Sequence, residues 1–108
     1  MKQVDICLMP WKWDGIALLG CPESEFIRVV KEQTDETLDA HNGMGRAYLK
    51  KGSCFVLWVE DETNFPSLAH EALHITAAIL EQRGLTLSES SEEAYTYTME
   101  DILRQVLK

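Results

Sequence analysis

The order of apolar and polar positions in the first part of the chain predicts two strands and a helix. Residues 4–9 and residues 16–19 are short apolar stretches of strand length. A helix is expected to begin at Pro22, because proline suits the first helical turn and two glutamates follow it near the positive end of the helix dipole. The polar, glycine-containing stretch at residues 34–45 then suits a loop.

The second part of the chain predicts a β-hairpin followed by two helices. Residues 46–49 and 54–59 are strand-like, and the four residues between them include a glycine, which is typical of a hairpin. The second of these strands is apolar at five successive positions, so we expect it to be covered on both faces. A helix is predicted at residues 67–83, between a proline and a glycine, and a last helix runs from a serine cluster near residue 90 to the C-terminus.

The helix predicted at residues 67–83 is apolar around most of its circumference. Leu68, Ala72 and Ile75 share one face, and Leu73 and Leu80 extend the apolar surface sideways. We therefore expect it to be buried on most sides. The sequence predicts an α+β fold, in which a small β-sheet with a hairpin before this helix packs with two further helices.

Length and composition agree with a single domain over residues 1–108. The chain is 45% hydrophobic and 26% charged, and neither a repeat nor a linker divides it. The longest apolar runs are far shorter than the roughly 20 residues that span a bilayer, and the N-terminus lacks the apolar core of a secretion signal. We expect a cytoplasmic protein without a membrane partner, whose oligomeric state the sequence leaves open.

The charge balance bears on the class of partner. Ten Lys and Arg residues against eighteen Asp and Glu residues give a net charge of −8. An acidic protein repels phosphate backbones, so nucleic acid is not an expected partner. Residues 55–108 hold ten of the acidic and three of the basic side chains. A cation would therefore be stabilised in this half of the chain.

Cysteine usage gives no sign of a disulfide framework. Cys7, Cys21 and Cys54 are odd in number, far apart in sequence and without a C-x-x-C pair. The spacing therefore also disfavours a thiolate zinc site. We expect three buried, free thiols.

Residues 70–74 read His-Glu-Ala-Leu-His, an H-E-x-x-H motif on the predicted helix. His70 and His74 are one turn apart on one face, so both imidazoles can point at a single ion. On a buried helix, unpaired histidines would cost free energy that a metal would offset. The motif predicts a Zn²⁺ site with Glu71 as the general base on a zinc-bound water. The alternative is a metal-free helix with satisfied histidines and a solvated glutamate.

Zinc held by two imidazoles needs a third protein ligand, and a carboxylate is the usual partner for this motif. Glu92 and Glu93 stand at the start of the last helix, after a glycine that allows the chain to turn back. By spacing, Glu92 extends the apolar stripe of that helix. Glu93 also fits a capping box, in which it would bond the backbone of Ser90. The residues alone leave the choice between the two glutamates open.

Three segments of the second half carry a further pattern: F-V-L-W-V at residues 55–59, L-A-H-E-A-L-H at residues 68–74 and E-E-A-Y-T-Y at residues 92–97. Together they resemble the minimal gluzincin-type zincins encoded by bacteriophages and prophages. In that family the glutamate ligand opens an E-A-x-x-Y pattern, which begins here at Glu93. The resemblance implies a zincin-like fold, a hydrolase-like zinc site and Glu93 as the third ligand.

The leading hypothesis is a zinc-dependent metallopeptidase that acts on a peptide or protein substrate, with His70, His74 and Glu93 as the metal ligands. The Tyr97 hydroxyl, one turn after Glu93, is a candidate to stabilise the oxyanion or to brace the ligand, with plain packing as its alternative. His41, in the polar loop, is a second oxyanion candidate, with an exposed loop histidine as the alternative.

Two other functions stay open at this point. One is a non-catalytic, zinc-stabilised phage or prophage protein that binds a protein partner, and the other is a metal-free interaction domain. The hairpin strand just before the H-E-x-x-H helix is expected to offer an edge on which an extended peptide adds as a further strand. Trp11, Trp13 and Trp58 either line such a groove or pack in the core.

Overall fold

A computed structural model describes residues 1–9, 11–52 and 54–108. Its elements are, in chain order, β1 (Lys2–Leu8), β2 (Trp13–Leu19), α1 (Glu23–Thr34), β3 (Gly45–Leu49), β4 (Cys54–Val59), α2 (Phe65–Gln82) and α3 (Glu92–Val106). Among the helices of these residues, none is both long and apolar enough to cross a membrane.

The four strands form one mixed sheet in the order β1-β2-β4-β3. The pairs β1–β2 and β3–β4 are antiparallel, whereas β2 and β4 are parallel neighbours in the middle. The chain therefore passes through α1 and β3 before β4 returns beside β2. The fold is α+β, as predicted, with a four-stranded sheet and three helices.

Helices cover both faces of the sheet. On one face α1 packs over Trp58, whose ring stacks on Phe26 at a centroid distance of 6.0 Å and whose Nε1–H donates to the Cys21 carbonyl at 2.8 Å. On the other face α2 and α3 pack over the alternate residues of β4, with Phe55 and Ile75 in that cluster. Residues 55–59 are all buried, so the expectation that this strand is covered on both faces is confirmed.

Several element boundaries differ from the predictions by one to three residues; β1, for example, spans Lys2–Leu8 rather than residues 4–9. β2 begins at Trp13, three residues before its apolar run, because Trp13, Asp14 and Gly15 pair with β1 although none of them belongs to that run. α2 begins at Phe65, because the Asn64 side chain accepts a hydrogen bond from the Ser67 backbone N–H and caps the helix. Ser53, in the predicted hairpin connection, and Pro10 lie outside the described residues.

The two edges of the sheet are not equivalent. At β1 the Gln105 side chain accepts from the Cys7 N–H at 3.0 Å and donates to the Cys7 carbonyl at 2.8 Å, so α3 covers this edge. At the other edge β3 pairs with β4 and has no described strand beyond it. The expectation that the strand just before α2 offers an edge is therefore wrong: β4 is an inner strand, and β3 is the edge strand on that side.

The expectation of three buried thiols is wrong for two cysteines. Cys21 is buried, Cys54 is half-buried and Cys7 is exposed, and all three are free. Cys7 lies on the opposite face of β1 from the buried Ile6 and Leu8, where it lines a cavity together with Gln33 of α1. Of the tryptophans, Trp13 and Trp58 are buried in the core and Trp11 is half-buried.

Candidate metal centre

α2 presents His70 and His74 on its outer side, and their Nε2 atoms lie 3.1 Å apart. The two rings are nearly perpendicular, with an interplanar angle of 78°. Both side chains are exposed. The expected burial of α2 on most sides is therefore wrong on this side: the sheet and α3 cover part of its circumference, and even Leu73 is 48% exposed.

The histidine geometry suits a single zinc ion. Two nitrogens bound to a tetrahedral zinc at ordinary Zn–N distances are about 3.3 Å apart. The observed 3.1 Å between the Nε2 atoms is close to that value. The distance is therefore compatible with both nitrogens binding one ion. Without an ion, the same distance is a hydrogen bond from the ring that carries the Nε2 proton to the other ring.

Glu71 lies beside this pair but on the inner side of α2. It is 8% exposed, and its carboxylate accepts no hydrogen bond from the described residues. Burial raises the pKa of Glu71, against the opposing influence of nearby His70 and His74. A carboxylate with a raised pKa is a stronger proton acceptor, which is the property that a general base needs.

Gly45, at the start of β3, allows the strand to approach Glu71, a role that was not predicted from the sequence. A Cβ atom at this position would lie 3.2 Å from both Cγ and Oε2 of Glu71 and 3.1 Å from the Trp58 carbonyl oxygen. Any larger side chain would displace the carboxylate or the strand. The only signal in the sequence is a glycine just before a predicted strand, and its meaning depends on which helix side chain it faces.

The third ligand is not assembled in this structure. Among the described residues no group of three or more His, Cys, Asp or Glu side chains is placed to bind a metal, so neither Glu92 nor Glu93 joins the histidine pair. Both glutamates are exposed. Glu92 lines a groove of about 330 Å³ together with Leu73 of α2. Glu93 follows about 100° further round the helix, on the solvent side of α3.

The capping box expected at the start of α3 does not form. The N-cap residue is Ser91 rather than Ser90, and no side chain caps the helix there. Instead the Ser91 hydroxyl donates to the Thr86 carbonyl in the preceding loop. The Glu93 carboxylate is therefore not occupied in capping.

Tyr97 and His41, the two residues predicted as oxyanion candidates, lie on α3 and in the loop before β3. Tyr97 is 68% exposed and lines a cavity with Met9 and Trp11, on the flank of α3 that faces away from the Leu73 groove. His41 is exposed in the loop before β3, and its backbone N–H donates to the Glu23 carboxylate. Neither side chain makes a hydrogen bond to the histidine pair within the described part of the chain.

Glu23 ties that loop and the β3 strand to the start of α1. Its carboxylate accepts the backbone N–H groups of His41 and Asn42, each at 3.1 Å, and pairs with the Arg46 guanidinium at 3.3 Å. Burial opposes ionisation, but these donors outweigh it and hold the pKa of Glu23 below its ordinary value. Because Arg46 lies next to Gly45, the contact fixes the strand that faces Glu71.

Replacing Glu23 with glutamine should therefore destabilise the fold at pH 7 by about 1–3 kcal/mol, since it removes the charge that a largely buried Arg46 pairs with. A lowered pKa contributes stability that is present above the unfolded-state pKa and is lost as pH falls through the folded-state value. The difference between wild type and variant should accordingly shrink on acidification below pH 4.5, the ordinary glutamate value.

Urea unfolding at neutral and acidic pH measures this difference. Glu32→Gln is the matched control, because Glu32 also lies on α1 and pairs with an arginine but has a side chain that is 55% exposed. It should change stability little at either pH. An equal loss in the two variants would contradict the role given to Glu23.

Comparison of the chain with protein-family models, with curated proteins and with solved structures finds no match. The functional assignment therefore depends on the side chains of α2 and on what surrounds them.

Proposed function

We propose that the protein is a zinc-dependent metallopeptidase, in which His70 and His74 bind the metal and Glu71 is the general base. The observation that carries the proposal is the pair of Nε2 atoms 3.1 Å apart on one helix turn, with a largely buried carboxylate beside them. The H-E-x-x-H spacing and the resemblance to phage gluzincins support the same assignment.

The reaction is the hydrolysis of an amide. Zn²⁺, when bound, supplies a Lewis acid that polarises the scissile carbonyl and lowers the pKa of the attacking water. Glu71 takes one proton from that water as the water oxygen adds to the carbonyl carbon. It then passes this proton to the amide nitrogen as the C–N bond breaks. Tyr97 has no part in this proposal, because its ring lines another cavity.

The position of β3 supports an extended peptide as the substrate. β3 is an edge strand of the sheet, and a Cβ atom at Gly45, at its start, would lie 3.2 Å from the side chain of Glu71. A peptide that adds along this edge would be held by main-chain hydrogen bonds, independently of its side chains. Its scissile bond would then lie near the end of the strand where Glu71 is found.

We further propose that Glu92 or Glu93 supplies the third ligand. The place of Glu92 in the groove that Leu73 lines favours Glu92, whereas the E-A-x-x-Y resemblance favours Glu93. Both side chains are exposed at the first turn of α3, so each is free to change rotamer. Separate alanine variants distinguish them.

The first test is the zinc content of the purified protein, measured by metal mass spectrometry. We expect about one zinc per chain in the wild type, none in His74→Ala, and a loss in one of Glu92→Ala and Glu93→Ala. Removal of zinc with EDTA should lower the Tm by about 10 °C when zinc had been about 100-fold above its Kd.

His41→Ala is the matched control, because His41 is the third histidine of the chain and lies in an exposed loop. It should keep the wild-type zinc content. If the wild type has no zinc even after zinc is added back, and EDTA leaves the Tm unchanged, the metal centre is wrong and the metal-free interaction domain takes its place.

A second candidate function is a non-catalytic, zinc-stabilised protein-binding module. One observation favours the absence of turnover: the cavities of about 520 and 450 Å³ in the described part of the chain are lined by residues other than His70, Glu71 and His74. This function predicts stoichiometric zinc without turnover.

A further inference from the structure

A cavity of about 450 Å³ lies between α3 and the end of β1, on the flank of α3 that faces away from α2. Its volume is within the range of small-ligand sites. The lining includes Met9, Trp11, Tyr97, Glu100, Asp101 and Arg104. None of these residues belongs to the proposed metal centre.

Large apolar side chains form one wall of this cavity. The Trp11 indole is fixed there, because its Nε1–H donates to the Thr98 hydroxyl at 2.8 Å. Tyr97 is 68% exposed and Met9 is 61% exposed, so neither belongs to the core. The Tyr97 hydroxyl has no hydrogen-bond partner among the described residues. Exposed aromatic faces carry a negative quadrupole, which attracts cations.

The charged side chains of the lining are Glu100, Asp101 and Arg104, two acidic and one basic, and they lie on α3, as Tyr97 does. Glu100 pairs with Arg104, so these two charges largely cancel. Two of the three basic side chains of residues 55–108 lie close by, since Arg104 lines the cavity and Arg83 donates to the Trp11 carbonyl at 2.7 Å. Asp101 accepts a hydrogen bond from the neutral Gln105 amide at 3.0 Å and forms no ion pair with the described residues. A cation is therefore complementary to the Asp101 carboxylate and to the exposed Tyr97 ring within this cavity.

We infer that this cavity binds an alkylammonium group, namely the side chain of a lysine in a peptide or protein partner. The aliphatic stem of lysine would contact Trp11 and Met9, and the ammonium group would lie between the Tyr97 ring and the Asp101 carboxylate. The inference is independent of the zinc proposal, since it uses no residue of α2.

The test is an NMR titration of the ¹⁵N-labelled full chain with N-acetyl-lysine methylamide, in which the Trp11 indole N–H is the reporter. N-acetyl-norleucine methylamide is the matched probe, because it keeps the aliphatic stem and lacks the charge. We expect a saturable shift with lysine and binding about 10-fold weaker or absent with norleucine. Added salt should weaken the lysine complex.

Two variants of equal charge change localise the effect. Asp101→Asn should weaken lysine binding about 5-fold, whereas Asp35→Asn, at a side chain that is 94% exposed in another part of the molecule, should not change it. Tyr97→Ala should weaken binding to a similar extent as Asp101→Asn. Equal affinity for the two probes, equal affinities of the two Asp variants, or no saturable shift of Trp11 would each overturn the inference.

Discussion

Glu71→Gln should leave zinc on the protein and lower the hydrolysis of a quenched peptide library by about 10²–10⁴-fold. Glutamine is nearly isosteric with glutamate but cannot accept the proton of the attacking water. His70 and His74 keep their positions one turn apart, so the zinc content should stay at the wild-type value. The measurements are the rate of hydrolysis and the zinc content per chain.

The variant should also stay folded. Burial already opposes ionisation of the Glu71 carboxylate and raises its pKa, so a neutral amide of the same size should not lower the Tm measured in EDTA. Glu81→Gln is the matched control, because Glu81 is an exposed glutamate on the same helix. It should retain full hydrolysis.

Two outcomes would contradict the hydrolase. Equal rates in the wild type and Glu71→Gln would mean that the activity does not use this base. Stoichiometric zinc without turnover in any of the proteins would assign the chain to the non-catalytic, zinc-stabilised binding module.

From the sequence, only the part of the candidate site that lies within one helix turn could be predicted. The spacing of His70 and His74 is enough to bring the two Nε2 atoms together, because residues four apart share a helix face. The burial of Glu71 depends on β3, and β3 packs beside it only through the tertiary fold. The position of a third ligand would depend on how α3 packs against α2. No local sequence pattern specifies that packing.

The same distinction between local and long-range information applies to the fold. Periodicity and turn residues predict the helices, the hairpin and the buried strand at residues 55–59, since each is a local property. The strand order and the parallel pairing of β2 with β4 depend on contacts about 40 residues apart along the chain, as between Gly15 and Phe55. For that reason neither the inner position of β4 nor the exposure of Cys7 was predicted.

The contact between Gly15 and Phe55 leads to the largest expected effect on stability. Gly15→Ala should destabilise the protein by about 3 kcal/mol, because its Cβ would lie 2.3 Å from Cε2 and Cζ of the Phe55 ring. Phe55 is fully buried between the sheet and its helices, so the ring cannot swing into solvent. The measurement is the free energy of unfolding from urea denaturation.

A double-mutant cycle shows whether the ring is the cause. Phe55→Leu removes the atoms that the new methyl group meets, so Gly15→Ala should cost less in that background than in the wild type, by about 1–2 kcal/mol. Gly43→Ala is the control, because its Cβ would meet only the Gly45 carbonyl oxygen, at 3.7 Å. It should be neutral or slightly stabilising, since it reduces the entropy of the unfolded chain. Strictly additive effects of Gly15→Ala and Phe55→Leu would show that the parallel register of β2 on β4 is not the one described here.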